Sequence, residues 1–287
     1  MTAQALTFQL LNGATFAALL FVVASGFTLV FGLMRIVNLA HGALYLLGGY
    51  IGYTAVALTD NFALGLLTAF IATAVLGLLT DYFLLRFVKG IELSQVLLTL
   101  GLALALGDCG LVIWGGDPIT LPVPDLLRGP LRFGALAYPR YRLFVLAVGI
   151  LLFVLLWTLL NRTRLGALIR AGVDDSEMVD ALGIDINRVF LWTFMLGASL
   201  AGLGGTLGGA FLTLYPGADG EILVFSLAVV IIGGLGSLTG AAVGSLLVGY
   251  LATFGQVLFP ELAYFVIFGP MAVLLSFRPT GLFGRGR

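Results

Sequence analysis

Apolar residues fill this chain in long unbroken runs rather than in alternation. Uncharged stretches cover residues 1–34, 36–59, 61–80, 143–161, 189–218 and 222–260, with shorter ones at 93–107 and 262–277. A helix needs about 20 apolar residues to cross a bilayer, and the longer runs reach that length. An outer-membrane barrel would alternate apolar and polar positions over segments of about 10 residues. Residues 143–160 are instead apolar on every face. The pattern predicts an all-α fold, a polytopic transmembrane helical bundle in which residues 1–287 form one unit with about 8–9 membrane segments.

Breaks in the pattern set the divisions. Residues 222–277 are interrupted by Gly233-Gly-Leu-Gly236 and by Pro260-Glu261, which predicts a short span over 222–235 followed by spans over 237–257 and 262–277. The segment 114–142 carries Pro118, Pro122, Pro124, Pro130 and Pro139. These exclude a continuous helix and predict an ordered outer loop, a place for an external partner or a cap.

Composition agrees with the pattern. Hydrophobic residues make up 60% of the chain and charged residues 10%, against about 25% charged in soluble domains. The net charge is zero and no basic stretch interleaves with aromatics, so nucleic acid is not an expected partner. The first apolar run lacks a positive leader region and continues into Met34 and beyond, which reads as a retained span and not a cleaved signal. With one cysteine, Cys109, and one histidine, His41, neither an internal disulfide nor a metal site is expected.

Lys and Arg accumulate on the cytoplasmic side of membrane proteins. If the loop 161–188 is cytoplasmic, its side also receives Arg35, Arg86, Lys89, Arg162, Arg164, Arg170, Arg188, Arg278, Arg285 and Arg287, while only Arg128, Arg132, Arg140 and Arg142 lie opposite. This excess predicts a cytoplasmic 161–188 loop and C-terminus, with the N-terminus outside.

Many of the 40 glycines fall inside apolar runs at four-residue spacing, as in Gly236, Gly240 and Gly244, or Gly197, Ala201 and Gly205. Such stripes let another backbone approach closely, either within this chain or at a subunit interface.

Three segments carry candidate chemistry. Asn38, His41, Gly42 and Tyr45 sit between the first two apolar runs. Polar groups there are costly against lipid and read either as hydrogen-bonding a helix junction or as lining a substrate path. Thr99, Gly233 and Gly234 join the path candidates by polarity or helix breaking at membrane depth. In the second segment, Asp174-Asp-Ser-Glu177 has the form of a helix cap with a glutamate three residues on, and Gly183 is placed to end the helix. Its apolar members Met178, Ala181 and Leu182 share one face, suited to a groove on another protein or to membrane lipid. The third, Gly233 to Gly240, is Gly-rich but lacks a following lysine. The one lysine, Lys89, is not preceded by a Walker-type loop, so ATP hydrolysis by this chain is not expected. Asp108 is an acid within an apolar stretch and would be the coupling group of a self-contained channel or secondary transporter, the competing reading. Paired carboxylates, a histidine pair and a nucleophile elbow are lacking, which argues against an enzyme.

In this order, Gly26-Phe-Thr-Leu-Val-Phe-Gly32 leading to Val37-Asn-Leu-Ala-His-Gly42, the stretch from Gly166 to Arg188, the glycines from Gly233 to Gly244 and the ending Arg278-Pro-Thr-Gly-Leu-Phe-Gly284 resemble the permease subunits of branched-chain amino acid type ABC importers, the LivH-like class. The resemblance implies a bacterial inner-membrane subunit with a second, LivM-like permease, two cytoplasmic ATPases that hold ATP and magnesium, and a periplasmic solute-binding protein. It implies no cofactor in this chain. It also implies that Asp174, Glu177, Met178, Ala181, Leu182 and Gly183 couple to an ATPase. Glu177 and Gly183 keep the spacing of the family's coupling motif, while Met178 and Val179 replace its two alanines. Ala43 stands where the family often has glutamate after His-Gly, which leaves open whether the substrate contacts match. The resemblance leaves the cargo open among branched-chain amino acids, urea, short amides and aromatic acids, since selectivity rests largely with the binding protein.

Overall fold

The computed structural model describes residues 3–34, 37–88, 90–133 and 136–284. Arg35, Lys89, Arg285 and Arg287, used above for orientation, lie outside them. The helices are α1 (Ala3–Met34), α2 (His41–Thr59), α3 (Phe62–Phe83), α4 (Glu92–Trp114), α5 (Arg140–Arg162), α6 (Arg164–Asp174), α7 (Ser176–Ala181), α8 (Ile186–Gly209), α9 (Ala218–Gly233), α10 (Leu238–Leu258) and α11 (Ala263–Phe277). Seven of them, α1 to α5 with α8 and α10, are long and apolar enough to cross a membrane. The shorter α9 and α11 have 16 and 15 residues.

The interruptions work as local chemistry dictates. Asn61 caps α3 by accepting from the amides of Ala63 and Leu64. Ser237 caps α10 through the amide of Gly240. Gly234, with φ +103°, takes a backbone conformation that side chains disfavour and ends α9. The three distal segments thus fall where the glycine and proline breaks put them. α4 ends at Trp114, where the loop is expected to begin, but α5 starts at Arg140, so Arg140 and Arg142 belong to its first turn and not to a loop. The proline-rich connection folds into an antiparallel hairpin, β1 (Pro130–Phe133) with β2 (Leu136–Pro139). Backbone bonds from Ile119 to Leu214 and from Leu121 to Gly209 tie the same connection over the end of α8.

At the centre α8 touches α1, α2 and α3, and α1 also lies against α10. The contacts are between backbones. A Cβ on Gly26 would collide with the Gly197 carbonyl, one on Gly48 with Gly202, and one on Gly205 with the Tyr45 carbonyl. Between apolar helices in lipid, close van der Waals packing and interhelical hydrogen bonds replace hydrophobic burial as the attraction. Thr206 supplies one such bond, its hydroxyl donating to the Gly48 carbonyl at 3.1 Å. Tyr141 supplies another, to the Leu207 carbonyl at 2.7 Å.

The bundle has two ends. One carries the hairpin, the other α6 and α7. α1 finishes at the α7 end, yet α2 begins with His41 bonded to Val23, a level roughly 16 Å back along α1 at 1.5 Å per residue. The chain therefore returns into the bundle before α2 starts.

Candidate functional site

Three places collect the polar and exposed groups that could act on a solute or a partner. The first is the junction where α2 begins. Asn38 is buried, and its side-chain oxygen accepts from the Ala40 amide at 3.1 Å. Thr99 on α4 accepts from the Leu39 amide at 3.2 Å and donates back to backbone carbonyls of Val96 and Val37. These bonds satisfy backbone groups that a broken helix exposes at depth. His41 is fully buried, its Nε2 donating to the Val23 carbonyl at 2.9 Å and its ring edge-on to Phe27 at 5.3 Å. Gly42 sits against the Asp219 carbonyl of α9, where a Cβ has no room. Asn38, His41, Gly42 and Thr99 thus knit α1, α2, α4 and α9 together.

Gly233 and Gly234 lie elsewhere, at the α7 end. Gly233 meets the backbone of Gly240, while the amides of Leu282 and Phe283 donate to the carbonyls of Ile232 and Gly233 at 2.9 Å. Gly236 contacts Gly32 on α1, and Gly244 meets the Val229 carbonyl. Gly197 and Gly205 face α1 and α2 as described above, and Ala201 is buried in the same core.

The second place is α7 with its flanks. Asp175, not Asp174, is its N-cap, accepting from the Met178 amide at 2.9 Å. Asp174 is instead the last residue of α6, a helix the sequence reading missed. Two adjacent aspartates offer equivalent caps, and the extent of α6 decides between them. α6 itself is capped by Thr163, whose hydroxyl oxygen accepts from the Gly166 amide in its first turn. Gly183, with φ +83°, closes α7: its amide bonds the Asp180 carbonyl, and the Ile184 amide bonds the Val179 carbonyl. Val179 is buried among Ile169, Ile186 and Val189, anchoring α7 to α6 and α8. Glu177, Met178, Ala181 and Leu182 remain exposed. The six-residue helix is seated through Val179 and presents an apolar edge beside acids.

The third place is a pair of cavities at opposite ends. At the α7 end a cavity of ≈ 840 Å³ opens between α1, α4 and α6, reached by Val37, Gln95, Arg170 and Gly236. At the hairpin end a cavity of ≈ 310 Å³ is lined by Asn12, Tyr45, Arg142, Tyr215 and Glu221 among others. Arg142 donates to the Asn12 side-chain oxygen and lies over the Phe211 ring at 5.7 Å. Loss of solvent first, and the neighbouring Glu221 second, push the Tyr215 phenol above its ordinary value of 10.0. Of the path candidates, Tyr45 lines this cavity; the others line neither. Arg142 and Glu221 were not singled out in sequence, because their meeting is set by how α5 and α9 pack. Asp108 is exposed on α4, whereas α3 extends far enough to make Asp81 a buried acid inside a helix.

A bundle of membrane-length helices with a broken junction between two end cavities and a capped helix projecting from one end defines a multi-pass solute permease. Residues 9–275 match the family described as branched-chain amino acid transport system / permease component. The chain is 30% identical to the high-affinity branched-chain amino acid transport system permease protein BraD of Pseudomonas aeruginosa, over 96% of this chain and 95% of that one. It is 27% identical to the corresponding LivH protein of Escherichia coli over the same shares. It is also 27% identical to LivM of Salmonella typhimurium, over 94% of this chain and 68% of LivM. None of the solved structures matches it. The chain belongs to the branched-chain amino acid transport system permease component family, and it is a multi-pass membrane protein.

Proposed function

We propose that this chain is one of two permeases in an ATP-driven importer of the bacterial inner membrane, moving branched-chain amino acids. In this reading the α7 end is cytoplasmic and the hairpin end receives a periplasmic solute-binding protein. A LivM-like second permease completes the path. Two ATPase subunits carry the ATP and magnesium, so this chain needs no cofactor of its own.

The observation that carries the reading is α7: capped at both ends, pinned by buried Val179, and exposing Glu177, Met178, Ala181 and Leu182. A groove on an ATPase that grips this edge would pull on α8 through Val179, Ile186 and Val189. α8 in turn bears on α2 at Tyr45 through Gly205. ATP shifts an equilibrium only through contacts that differ between its states, and this lever is where such a difference acts. The segment from Val37 to Tyr45 runs between the two cavities, Val37 lining one and Tyr45 the other. Its helix break, held by Asn38, His41 and Thr99, is the proposed gate.

The test is uptake of labelled leucine into proteoliposomes containing this chain, its second permease and the ATPases, with and without the binding protein. Uptake that requires both ATP and binding protein is the expected result. Glu177→Lys or Leu182→Asp should reduce it to background while the binding protein still holds leucine; wild-type uptake by either variant overturns the coupling role of α7.

A further inference from the structure

The hairpin-end cavity holds one cation and one anion on different elements: Arg142 in the first turn of α5 and Glu221 in the first turn of α9. The ion pairs Arg128 with Asp125 and Arg188 with Asp185 involve neither of them. Arg142 is steadied by a neutral acceptor, Asn12, and by the Phe211 ring beneath it. A guanidinium has five donors and that bond uses one, so most of its capacity for a carboxylate remains. Glu221 sits at a helix start where negative charge is favoured. Arg142 is thus held in place, and neither charge belongs to an ion pair among the described residues. The wall beside them is apolar, with Phe16, Ile222 and Phe225. A volume of ≈ 310 Å³ is at the small end of ligand cavities, which begin at about 300 Å³.

We propose that this cavity is a cargo site for a zwitterionic α-amino acid, Arg142 taking the carboxylate, Glu221 the ammonium, and the apolar wall an aliphatic side chain. The assignment rests on the importer reading above and says where in this chain the cargo sits.

It is tested in the same proteoliposomes, with ATP and saturating binding protein, by following leucine uptake and binding-protein-stimulated ATP hydrolysis together. Arg142→Gln and Glu221→Gln are expected to lower uptake at least about 10-fold, the loss of one hydrogen bond to a charged group. Stimulated hydrolysis should stay within about 2-fold, because the ATPase contact lies at the other end. Arg142→Lys and Glu221→Asp, which keep the charges, should recover most of the uptake, and Arg140→Gln, outside the cavity, should leave it unchanged. Wild-type uptake by both neutral variants overturns the site while leaving the importer reading intact. A fall in hydrolysis matching the fall in uptake also overturns it, since the residues then serve conformational change. Absence of amino acid uptake by the wild-type complex overturns the importer reading itself, and the site with it.

Discussion

α8 and α4 are nearly equal in length, 24 and 23 residues, and α4 is the more hydropathic. Yet 16 of the 24 residues of α8 are buried inside the bundle, against 3 of the 23 of α4. In a water-soluble protein the order would be reversed. In a membrane the lipid is as apolar as any leucine, so hydrophobic side chains do not draw a helix inward. Small residues do: α8 carries Gly197, Ala201, Gly202, Gly204 and Gly205 against its neighbours, whereas the glycines of α4 at 101 and 107 face open space. The buried positions of α4 are Gln95, Thr99 and Gly110, polar or small, and two of them act through hydrogen bonds.

The sharpest break of this contrast is Gly205→Leu. Its side chain would have to displace the Tyr45 backbone, and overpacking of that kind costs at least about 3 kcal/mol. Thermal unfolding of the purified chain in detergent, followed by size-exclusion, should show most of the protein lost to aggregation. A melting curve like wild type would show that α2 does not rest on α8 through this glycine. Next in size is Thr99→Val, which keeps the shape but leaves the Leu39 amide without its acceptor, at about 1–3 kcal/mol. The same melt should move down by a few degrees, and uptake should fall further if the junction is the gate. Smallest is Gly101→Ala on α4, which meets nothing and gains helix propensity worth up to about 1 kcal/mol. A melt unchanged or slightly raised fits; a drop as large as that of Gly205→Leu would erase the distinction between the two helices.

What could be read from sequence follows the same division. Spans and breaks were legible because length, Gly234 and Pro260 act locally. Gly183 as the end of α7 was legible for the same reason, since a left-handed closure needs no distant partner. α6 was not, because its apolar positions Leu165, Leu168 and Ile169 are interspersed with Arg164 and Arg170 in a stretch that reads as a charged loop. The choice of Asp175 over Asp174 as a cap depended on that unseen helix. Asp81 was passed over because the apolar run stops at Thr80, while the helix continues to Phe83. Arg142 and Glu221 share a cavity through the packing of α5 and α9, and no periodicity or motif spacing encodes that.

The carbonyls of Ile232 and Gly233 close α9 only by accepting from Leu282 and Phe283. During synthesis α9 reaches the membrane well before position 282 has left the ribosome, so for that interval the helix end carries open acceptors. Completion of the bundle is therefore tied to emergence of the tail, and a chain truncated before Leu282 would present that unsealed end to the cell's membrane quality control.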